Sequence, residues 1–432
     1  MSRRSDAIAK PPFFLIYRAR LSKELSVYIH GVEIDGAECE SCRKNLSEIA
    51  SEFEIYDVDW DIVCADTLTV SDYDGKMDYV VGNPPYVRVH NLRSAYDTVK
   101  KYFFTQSGMT DLFIAFYEIG LKMLNHSGIL GYISPSSLYN SIAGSAMRKY
   151  LAHNRSIKKI VDLKHFQPFE ATAYTTIMIL TKECNRYVDY YEYDAENLVP
   201  AAVSRLGYED FNINGSFVFG HKCVLSQLRS VMTSVFSEKL FEVKNGFATL
   251  CDEFFIGDWT FTDYTIPIVK ASTGNMTKCL FPYDNFGRII PFDVLTKNIE
   301  IKSHYDRYID KLKARSLDGS GNWYGFGRSQ GINDVQKKKY AINALIRNVG
   351  DIKLSLCEPG TGIYGGLYIL TDCNIDGIKN ILFTDEFITY ISMLGKYKSG
   401  GYYTYSSKDL QRFLNYGLSK REGCGYEQLF FS

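Results

Sequence analysis

The sequence predicts an α/β fold whose first half is a doubly wound, mostly parallel sheet and whose second half is a mixed α+β domain. Two observations predict this class. Apolar runs of strand length alternate with stretches of helical periodicity up to about residue 200, which is typical of parallel sheets. The length of 432 residues also favours two domains over one. We therefore place the first domain at residues 1–235 and the second at residues 236–432.

The elements of the first domain follow one another closely. A strand at 28–35 precedes a polar helix at about 36–52, and the clearest later helix lies near 110–124, where Leu112, Phe113, Phe116, Ile119 and Met123 recur at helical spacing. The other predicted elements are strands near 62–66, 79–81, 128–135, 157–163, 175–180 and 187–193, and a helix at 142–152.

Composition excludes several classes of protein. No apolar run reaches the roughly 18 residues that span a bilayer, and the first residues form no signal-peptide pattern. The ten cysteines are scattered, which indicates free thiols in a reducing compartment, and Cys39 and Cys42 have no second pair at zinc-finger distance. No cluster of metal ligands is visible among the seven histidines. We expect a cytoplasmic protein without a membrane partner and without a metal site.

The most informative local feature is the tetrapeptide Asn83-Pro84-Pro85-Tyr86, which follows the apolar run 77–82. The prolines fix φ and remove two backbone donors, so that carbonyl oxygens here can face a ligand. Asn83 offers an acceptor and donors, and Tyr86 offers a flat face for stacking. This set suits a planar ring with an exocyclic amino group, although such a turn can also simply end a strand. The predicted catalytic residues are Asn83, Pro84 and Tyr86.

Two carboxylates follow the preceding strands of the predicted sheet. Glu33 and Asp66 stand, like Asn83, at the carboxyl ends of strands, where parallel α/β sheets bind ligands. Glu33 is suited to accept from both hydroxyls of a ribose, with Asp35 as a weaker candidate for that role, and Asp66 is suited to accept from the amino group of an adenine. Carboxylates at these positions also cap helices. Together with Asn83 they predict a nucleoside cofactor lying across the sheet beside a second planar substrate.

The second half contains a basic stretch in an otherwise neutral chain. The whole chain carries a net charge of −1, whereas residues 297–353 contain 12 basic and six acidic residues and have a net charge of +6. A surface of this kind suits phosphate groups, and it is equally typical of a solvated helix face.

Several motifs occur in an order that resembles the adenine-specific DNA methyltransferases of the gamma class (TaqI-like). The resemblance is strong over residues 28–180 and moderate beyond, to about 420. The matching segments are Gly31–Asp35, Ala65–Asp66, Asn83–Tyr86, Thr110–Phe113, Gly128–Ser137 and Phe169–Tyr174, followed by Val243–Gly246, Trp323–Gly331 and Gly400–Leu410.

The resemblance implies a reaction and its partners. The cofactor would be S-adenosyl-L-methionine, and the substrate would be the amino nitrogen of adenine in double-stranded DNA, as part of a restriction–modification system. A cognate restriction endonuclease would share the site and need not bind this chain. Phe14 would contact the cofactor, and Phe169 would form a second aromatic wall of the base pocket. In the second domain, Lys337, Lys338 and Lys339 are expected to contact the DNA backbone, and Arg328 to read a guanine.

One feature departs from the family pattern. The family carries a glycine-rich loop around the methionine part of the cofactor, which should fall near residues 8–13, yet residues 1–30 contain no glycine and this stretch includes Pro11 and Pro12. Prolines supply neither positive φ nor backbone donors. A truncated or frame-shifted copy is the simplest interpretation, and a natural variant with a different mode of cofactor binding is the other.

Two further classes of function remain open from the sequence. A methyltransferase acting on RNA or on a protein amide would share the Asn-Pro-Pro-Tyr motif, but it would not need a second domain of about 190 residues. A catalytically silent remnant would bind DNA without binding the cofactor. The size and the basic, aromatic character of the second domain favour duplex DNA, which requires a module that reads the groove while one base is extruded.

Overall fold

The structure is a computed structural model that describes residues 28–88, 95–169, 174–234, 240–317 and 321–420. The described residues fall into two compact units, one up to residue 217 and the other from residue 218 onward. This division lies earlier than the predicted boundary at residue 235, because the helix Lys222–Thr233 packs on helices of the second unit. Its apolar side chains Leu225, Leu228 and Val231 are all buried.

The first unit is built from ten strands and five helices within the described residues. The strands are β1 (His30–Glu33), β2 (Asp61–Cys64), β3 (Met77–Gly82), β4 (Leu124–Pro135), β5 (Ile157–Asp162), β6 (Thr175–Thr181), β7 (Val188–Asp194), β8 (Val199–Leu206), β9 (Asn212–Ile213) and β10 (Ser216–Phe217). The helices are α1 (Gly36–Ser51), α2 (Tyr96–Val99), α3 (Leu112–Met123), α4 (Ser145–Asn154) and α5 (Tyr208–Phe211).

Six of these strands form the main sheet, in the order β3-β4-β6-β5-β7-β8. Strands β3 and β4 are parallel, as are β5 and β7, whereas β6 runs antiparallel to both of its neighbours and β8 runs antiparallel to β7. Four of the six strands therefore point in one direction. The predicted α/β class is confirmed, with a sheet that is mixed because β6 enters it in the reverse direction.

Strands β1 and β2 form a separate two-stranded parallel sheet. Helix α1 begins directly after β1, where Asp35 accepts a hydrogen bond from the Ala37 amide at 2.8 Å and so caps the helix. The helix buries Leu46 and Ala50 in a small cluster with Trp60 and Ile62. This cluster fixes the ends of β1 and β2, from which the two predicted cofactor carboxylates project.

Helix α3 lies against strand β4, which carries one side of the candidate site. The helix is apolar on nearly all sides, and most of its residues are buried. Gly120 allows the close approach, because a Cβ atom there would lie 2.7 Å from a side-chain carbon of Leu130 and from the hydroxyl of Tyr132. Tyr117 and Ser134 share a buried hydrogen bond of 2.8 Å between the helix and the end of the strand.

The second unit mixes short strands and helices, as predicted for the second half. Its helices are α6 (Lys222–Thr233), α7 (Asp252–Phe255), α8 (Phe292–Leu295), α9 (Ile299–Lys313), α10 (Ile375–Leu382), α11 (Asp385–Met393) and α12 (Ser407–Ser419). Its strands are β11 (Glu242–Asn245), β12 (Thr265–Lys270), β13 (Asn275–Leu280), β14 (Lys339–Ile342), β15 (Leu345–Ile346), β16 (Leu354–Cys357), β17 (Gly362–Tyr364), β18 (Leu367–Leu370), β19 (Tyr397–Lys398) and β20 (Tyr402–Thr404).

The described residues of the second unit form three sheets, in the orders β11-β18-β14-β16, β13-β12-β17 and β15-β20-β19. A large aromatic cluster packs between α9 and the strands β12 and β13, and Phe247, Phe254, Tyr305 and Phe326 are buried in it. The high aromatic content of the chain is thus used largely for the core here. In the described part of the chain, no helix is both long enough and apolar enough to cross a bilayer.

Candidate active site and nucleic-acid interface

Strand β3 delivers the Asn-Pro-Pro-Tyr tetrapeptide at its carboxyl end. Gly82 is the last residue of β3 and pairs in register with Tyr132 of β4. Asn83 follows and is exposed, whereas the Pro84 side chain is buried. The parallel pairing of β3 and β4 therefore holds an amide side chain at the edge of the main sheet, above a proline that packs inward.

Tyr86 is fixed next to this edge by contacts on two sides. Its ring meets Phe113 of α3 edge-on, with ring centroids 6.4 Å apart, and its hydroxyl donates to the carbonyl oxygen of Ile133 at 3.4 Å. Burial raises the pKa of the Tyr86 hydroxyl to about 12, so the ring is uncharged at neutral pH. The residues after Tyr86 are tied to the start of α3, because the Leu112 amide donates to the Val87 carbonyl at 2.9 Å.

A second aromatic group reaches the same edge of the sheet from the connection between β5 and β6. The amide and the hydroxyl of Ser136, directly after β4, both donate to the Tyr174 carbonyl, at 2.9 and 3.2 Å. The Tyr174 ring meets His165 edge-on at 5.8 Å between centroids. Phe169 lies earlier in this connection with 40% of its surface exposed. No role was predicted from the sequence for Tyr174 or His165, although an aromatic residue directly before a strand was the available signal.

A buried carboxylate anchors this connection at the end of β5. Asp162 accepts from the Lys164 amide at 2.9 Å and from the Tyr190 hydroxyl at 3.3 Å, and the Lys164 ammonium lies between Asp162 and Glu192. Burial raises the pKa of the Asp162 carboxyl, an effect opposed by Lys164. No sequence pattern indicates this network, since its members are brought together only by the pairing of β5 with β7.

The two predicted cofactor carboxylates stand at the ends of neighbouring parallel strands. One oxygen of Glu33 accepts from the amides of Ile34 and Asp35, at 2.8 and 3.0 Å. Asp66 accepts from the Leu68 amide at 3.0 Å, and the Ala65 amide donates to the Glu33 carbonyl. The structure therefore brings these two carboxylates to one edge of the β1–β2 sheet. Asn83 ends a strand of the other sheet, and Phe14 lies outside the described residues.

The predicted guanine-reading residue lies on an exposed segment of the second unit. Arg328 pairs through its backbone with Ala248, and its side chain is exposed. The neighbouring residues Gly325, Phe326 and Gly327 are buried. A Cβ atom on Gly327 would come within 2.4 Å of Leu250, so this glycine serves packing within the unit.

Arg315, which contributes to the basic stretch, has a structural role: its side chain binds backbone carbonyls of the second unit. Its guanidinium donates to the carbonyl oxygens of Trp323 at 2.6 Å and Gly325 at 2.8 Å, and also to that of Thr249. These bonds hold the segment that leads to Arg328. Part of the positive charge counted in the sequence is therefore engaged in hydrogen bonds to the backbone of the unit.

The three consecutive lysines do not form one cationic cluster. Lys337 and Lys338 are exposed, and Lys337 pairs with Asp334 at 2.8 Å. Lys339 is only 1% exposed, and its ammonium donates to the carbonyl oxygens of Asp334, Val335 and Lys337 at 2.8, 3.1 and 3.0 Å. The predicted backbone contact is thus wrong for Lys339, because its charge is buried at the start of β14 and cannot reach a phosphate.

The sequence of the first unit matches known methyltransferases. Residues 16–169 match the family described as Eco57I restriction-modification methylase. The type II methyltransferase M.BstVI of Geobacillus stearothermophilus is 35% identical over 119 residues, which is 26% of this chain and 21% of that protein. The type II restriction enzyme and methyltransferase RM.Eco57I of Escherichia coli is 29% identical over 137 residues, which is 31% of this chain and 14% of that protein. The matches thus span well under half the length of these relatives.

A solved structure resembles most of the chain. The alignment with the structure of the type IIL restriction-modification enzyme MmeI in complex with DNA covers 88% of the present chain and 54% of the MmeI chain. Its TM-score is 0.58 and the sequence identity is 15%. At this identity the match shows a shared fold. The sequence comparisons confirm the coarser part of the resemblance predicted from the sequence: the first unit is similar to methyltransferases of restriction–modification systems.

Proposed function

We propose that this relative of the restriction–modification methyltransferases transfers a methyl group from S-adenosyl-L-methionine to the exocyclic amino nitrogen of adenine in duplex DNA. One observation carries the proposal: Asn83 stands exposed at the carboxyl end of β3, and three residues later the uncharged ring of Tyr86 is held against Phe113 and β4. An amide oxygen next to an aromatic face is suited to a planar ring that bears an amino group. The chain would act as the modification part of such a system.

The amino nitrogen of adenine is a poor nucleophile because its lone pair is conjugated with the ring. The Asn83 side-chain oxygen and the Pro84 backbone carbonyl would each accept one of its hydrogens. Accepting both hydrogens favours a tetrahedral nitrogen whose lone pair is available to attack. Tyr86 would stack on one face of the extruded base and Phe169 would close the pocket as a second wall. The new carbon–nitrogen bond would form as the methyl–sulfur bond breaks, with S-adenosylhomocysteine as the leaving group, and the methylated nitrogen would then lose one proton to solvent. No strongly basic side chain is required at the start of this reaction.

The chemistry of the carboxylates at the ends of β1 and β2 fits the nucleoside half of the cofactor. Glu33 would accept from the ribose hydroxyls, and Asp66 from the adenine amino group, since both are carboxylates at one edge of a parallel sheet. When bound, the cofactor supplies an electrophilic methyl group. Phe14 remains the proposed aromatic contact to it.

The second unit would hold the duplex while one base is extruded. Arg328 is proposed to read a guanine in the major groove, and Lys337 and Lys338 to contact phosphates. All three side chains are exposed, which is the condition for such contacts. A restriction endonuclease that cleaves the same unmethylated sequence would be the functional partner of this activity.

The decisive experiment is a methylation assay with the full chain and the matched variant Asn83→Ala. Purified protein is incubated with methyl-labelled S-adenosyl-L-methionine and bacteriophage DNA, and the digested nucleosides are separated. The expected product is N6-methyldeoxyadenosine, and Asn83→Ala should reduce its rate of formation by about a hundredfold or more.

Three other outcomes would contradict the proposal in different ways. Label that appears in RNA or protein, with none in duplex DNA, would indicate an RNA or amide methyltransferase. DNA binding without any heat of cofactor binding in calorimetry would indicate a silent remnant. Near-normal methylation by Asn83→Ala would remove Asn83 from the mechanism.

A further inference from the structure

The turn Asp284–Arg288 of the second unit presents a large aromatic ring to solvent. Phe286 at its tip is 76% exposed, although most aromatic residues of this unit lie in the core. A single exposed apolar residue is ordinary on a protein surface. Here the rigidity of the turn and the charge around it provide the argument for a function.

The turn is held rigid by its own hydrogen bonds. Asp284 accepts from the amides of Phe286 and Arg288, both at 2.9 Å, and pairs with the Arg288 guanidinium at 2.8 Å. The Asp284 amide donates to the Arg288 carbonyl oxygen at 2.8 Å, and Gly287 adopts a positive φ of 77°. A turn whose backbone is already ordered loses little conformational entropy when it binds a partner.

The same turn contacts both segments that carry the proposed DNA-binding residues. The Tyr283 hydroxyl, next to the turn, accepts from the Phe326 amide at 2.7 Å, two residues before Arg328. On the other side, the Gln336 side chain donates to Asn285 at 3.2 Å, directly before Lys337 and Lys338. Phe286 therefore lies in a turn that is tied, through Tyr283 and Asn285, to the segments that carry these cations.

A cation lies beside the Phe286 ring. The Arg288 guanidinium lies 5.1 Å from the centre of the Phe286 ring, and the Arg288 side chain remains 74% exposed. Arg328, Lys337 and Lys338 are further exposed cations, and they lie on the two segments that are hydrogen-bonded to Tyr283 and Asn285. This combination is complementary to a nucleic acid, whose phosphates carry charge and whose bases offer apolar faces.

We propose that Phe286 enters a groove of bound duplex DNA and stacks on the bases at one step, while Arg288 contacts a neighbouring phosphate. Apolar side chains of this kind partly unstack a base step. The free-energy cost of unstacking is offset because the DNA then contacts additional protein surface. This inference rests on the proposed DNA-binding role of the second unit. It deepens that role because it adds an uncharged contact between Phe286 and the stacked bases.

The test uses the full chain and a fluorescein-labelled 30-base-pair duplex of mixed sequence, followed by fluorescence anisotropy at several salt concentrations. Phe286→Ala should weaken binding by about tenfold, since stacking on a base is lost. Its salt dependence should stay that of the wild type, because no charge changes. Arg288→Gln should instead lower the slope of log K against log salt by about one.

A tryptophan reporter supplies an independent measurement. Phe286→Trp should keep the affinity, and its added fluorescence should be quenched when the duplex stacks on the indole. The matched control is Phe53→Trp, at an exposed position (55%) of the first unit, which should show no added quenching. Wild-type protein corrects for the three native tryptophans.

The outcomes separate the two proposals. If the wild type binds the duplex but Phe286→Ala binds equally well, or Phe286→Trp is not quenched, the stacking role is wrong and the DNA-binding role survives. If the wild type does not bind the duplex at low salt, the DNA-binding role of this unit fails and the stacking role fails with it.

Discussion

The Tyr86 hydroxyl donates to the Ile133 carbonyl at 3.4 Å and so joins the segment after β3 to the end of β4. This distance is long for a hydrogen bond between two oxygens, so the bond is weak. The edge-on contact with Phe113 and the partial burial of the ring are the stronger constraints on Tyr86. The position of the ring is therefore set mainly by packing.

Substitutions of Tyr86 should distinguish the ring from the hydroxyl. Tyr86→Phe keeps the ring and should change kcat/KM for DNA methylation by less than about threefold, since a typical hydrogen bond contributes only about 1 kcal/mol and this one is long. Tyr86→Ala removes the stacking face and should cost about 1–3 kcal/mol in binding of the extruded base. Steady-state kinetics of both variants test this. Equal losses for Phe and Ala would show that the hydroxyl, and not the face, performs the role.

Asp66 should affect cofactor binding more than stability. Asp66→Asn keeps an oxygen that can accept from the Leu68 amide, as Asp66 does at 3.0 Å, but it loses the charge. We expect affinity for S-adenosylhomocysteine in calorimetry to fall by about tenfold, because a bond to a charged acceptor contributes about 1.5–3 kcal/mol. The melting temperature should hardly change.

The control for this experiment is Asp72→Asn, an exposed aspartate in the loop between β2 and β3. It should leave affinity unchanged. If Asp66→Asn binds S-adenosylhomocysteine as tightly as the wild type, Asp66 only caps its turn.

The first unit was readable from sequence because its signals are local. The apolar repeat of α3 and the strand-length runs of β3 and β4 place these elements correctly, and Asn83 directly follows β3 as predicted. What could not be read is non-local. The reversed β6 and the separate β1–β2 sheet depend on which strands pair, and the Asp162 network depends on the neighbour that β5 acquires.

The lysine run shows the same limit in the second unit. In the sequence, Lys337, Lys338 and Lys339 are equivalent charges, and a charge run is normally solvated. In the structure, Lys339 begins β14, whose four residues are all buried. Carbonyl oxygens from the preceding turn surround its ammonium, and no periodicity in the sequence encodes that arrangement.

The exposed lysines should determine the salt dependence of DNA binding. Replacing Lys337 and Lys338 by Gln should lower the slope of log K against log salt by about one for each phosphate that is no longer neutralised. Anisotropy titrations of the full chain at three or more salt concentrations give this slope. Lys339→Met is the matched control, because the buried ammonium reaches no phosphate, and it should leave the slope unchanged. If replacing Lys337 and Lys338 leaves this slope unchanged, these two lysines do not contact the phosphates of the DNA.

Lys339 should also give the protein a specific dependence of stability on pH. Burial lowers the pKa of its ammonium to about 8, whereas an unfolded chain keeps this proton up to about 10.4. Between these two values the unfolded state binds more protons, so the free energy of unfolding rises with pH, by at most about 1.4 kcal/mol per pH unit. Below pH 8 both states are protonated and the contribution of Lys339 is constant.

Lys339→Met removes this titration, so the difference in unfolding free energy between wild type and variant isolates it from other groups. Urea unfolding of both proteins at pH 7, 8, 9 and 10 should show a difference that is flat from pH 7 to 8 and then moves in favour of the wild type. A total change of about 2 kcal/mol by pH 10 is expected from the slope above. A difference that stays flat up to pH 10 would mean that the buried ammonium keeps its proton, stabilised by the three carbonyl oxygens that surround it.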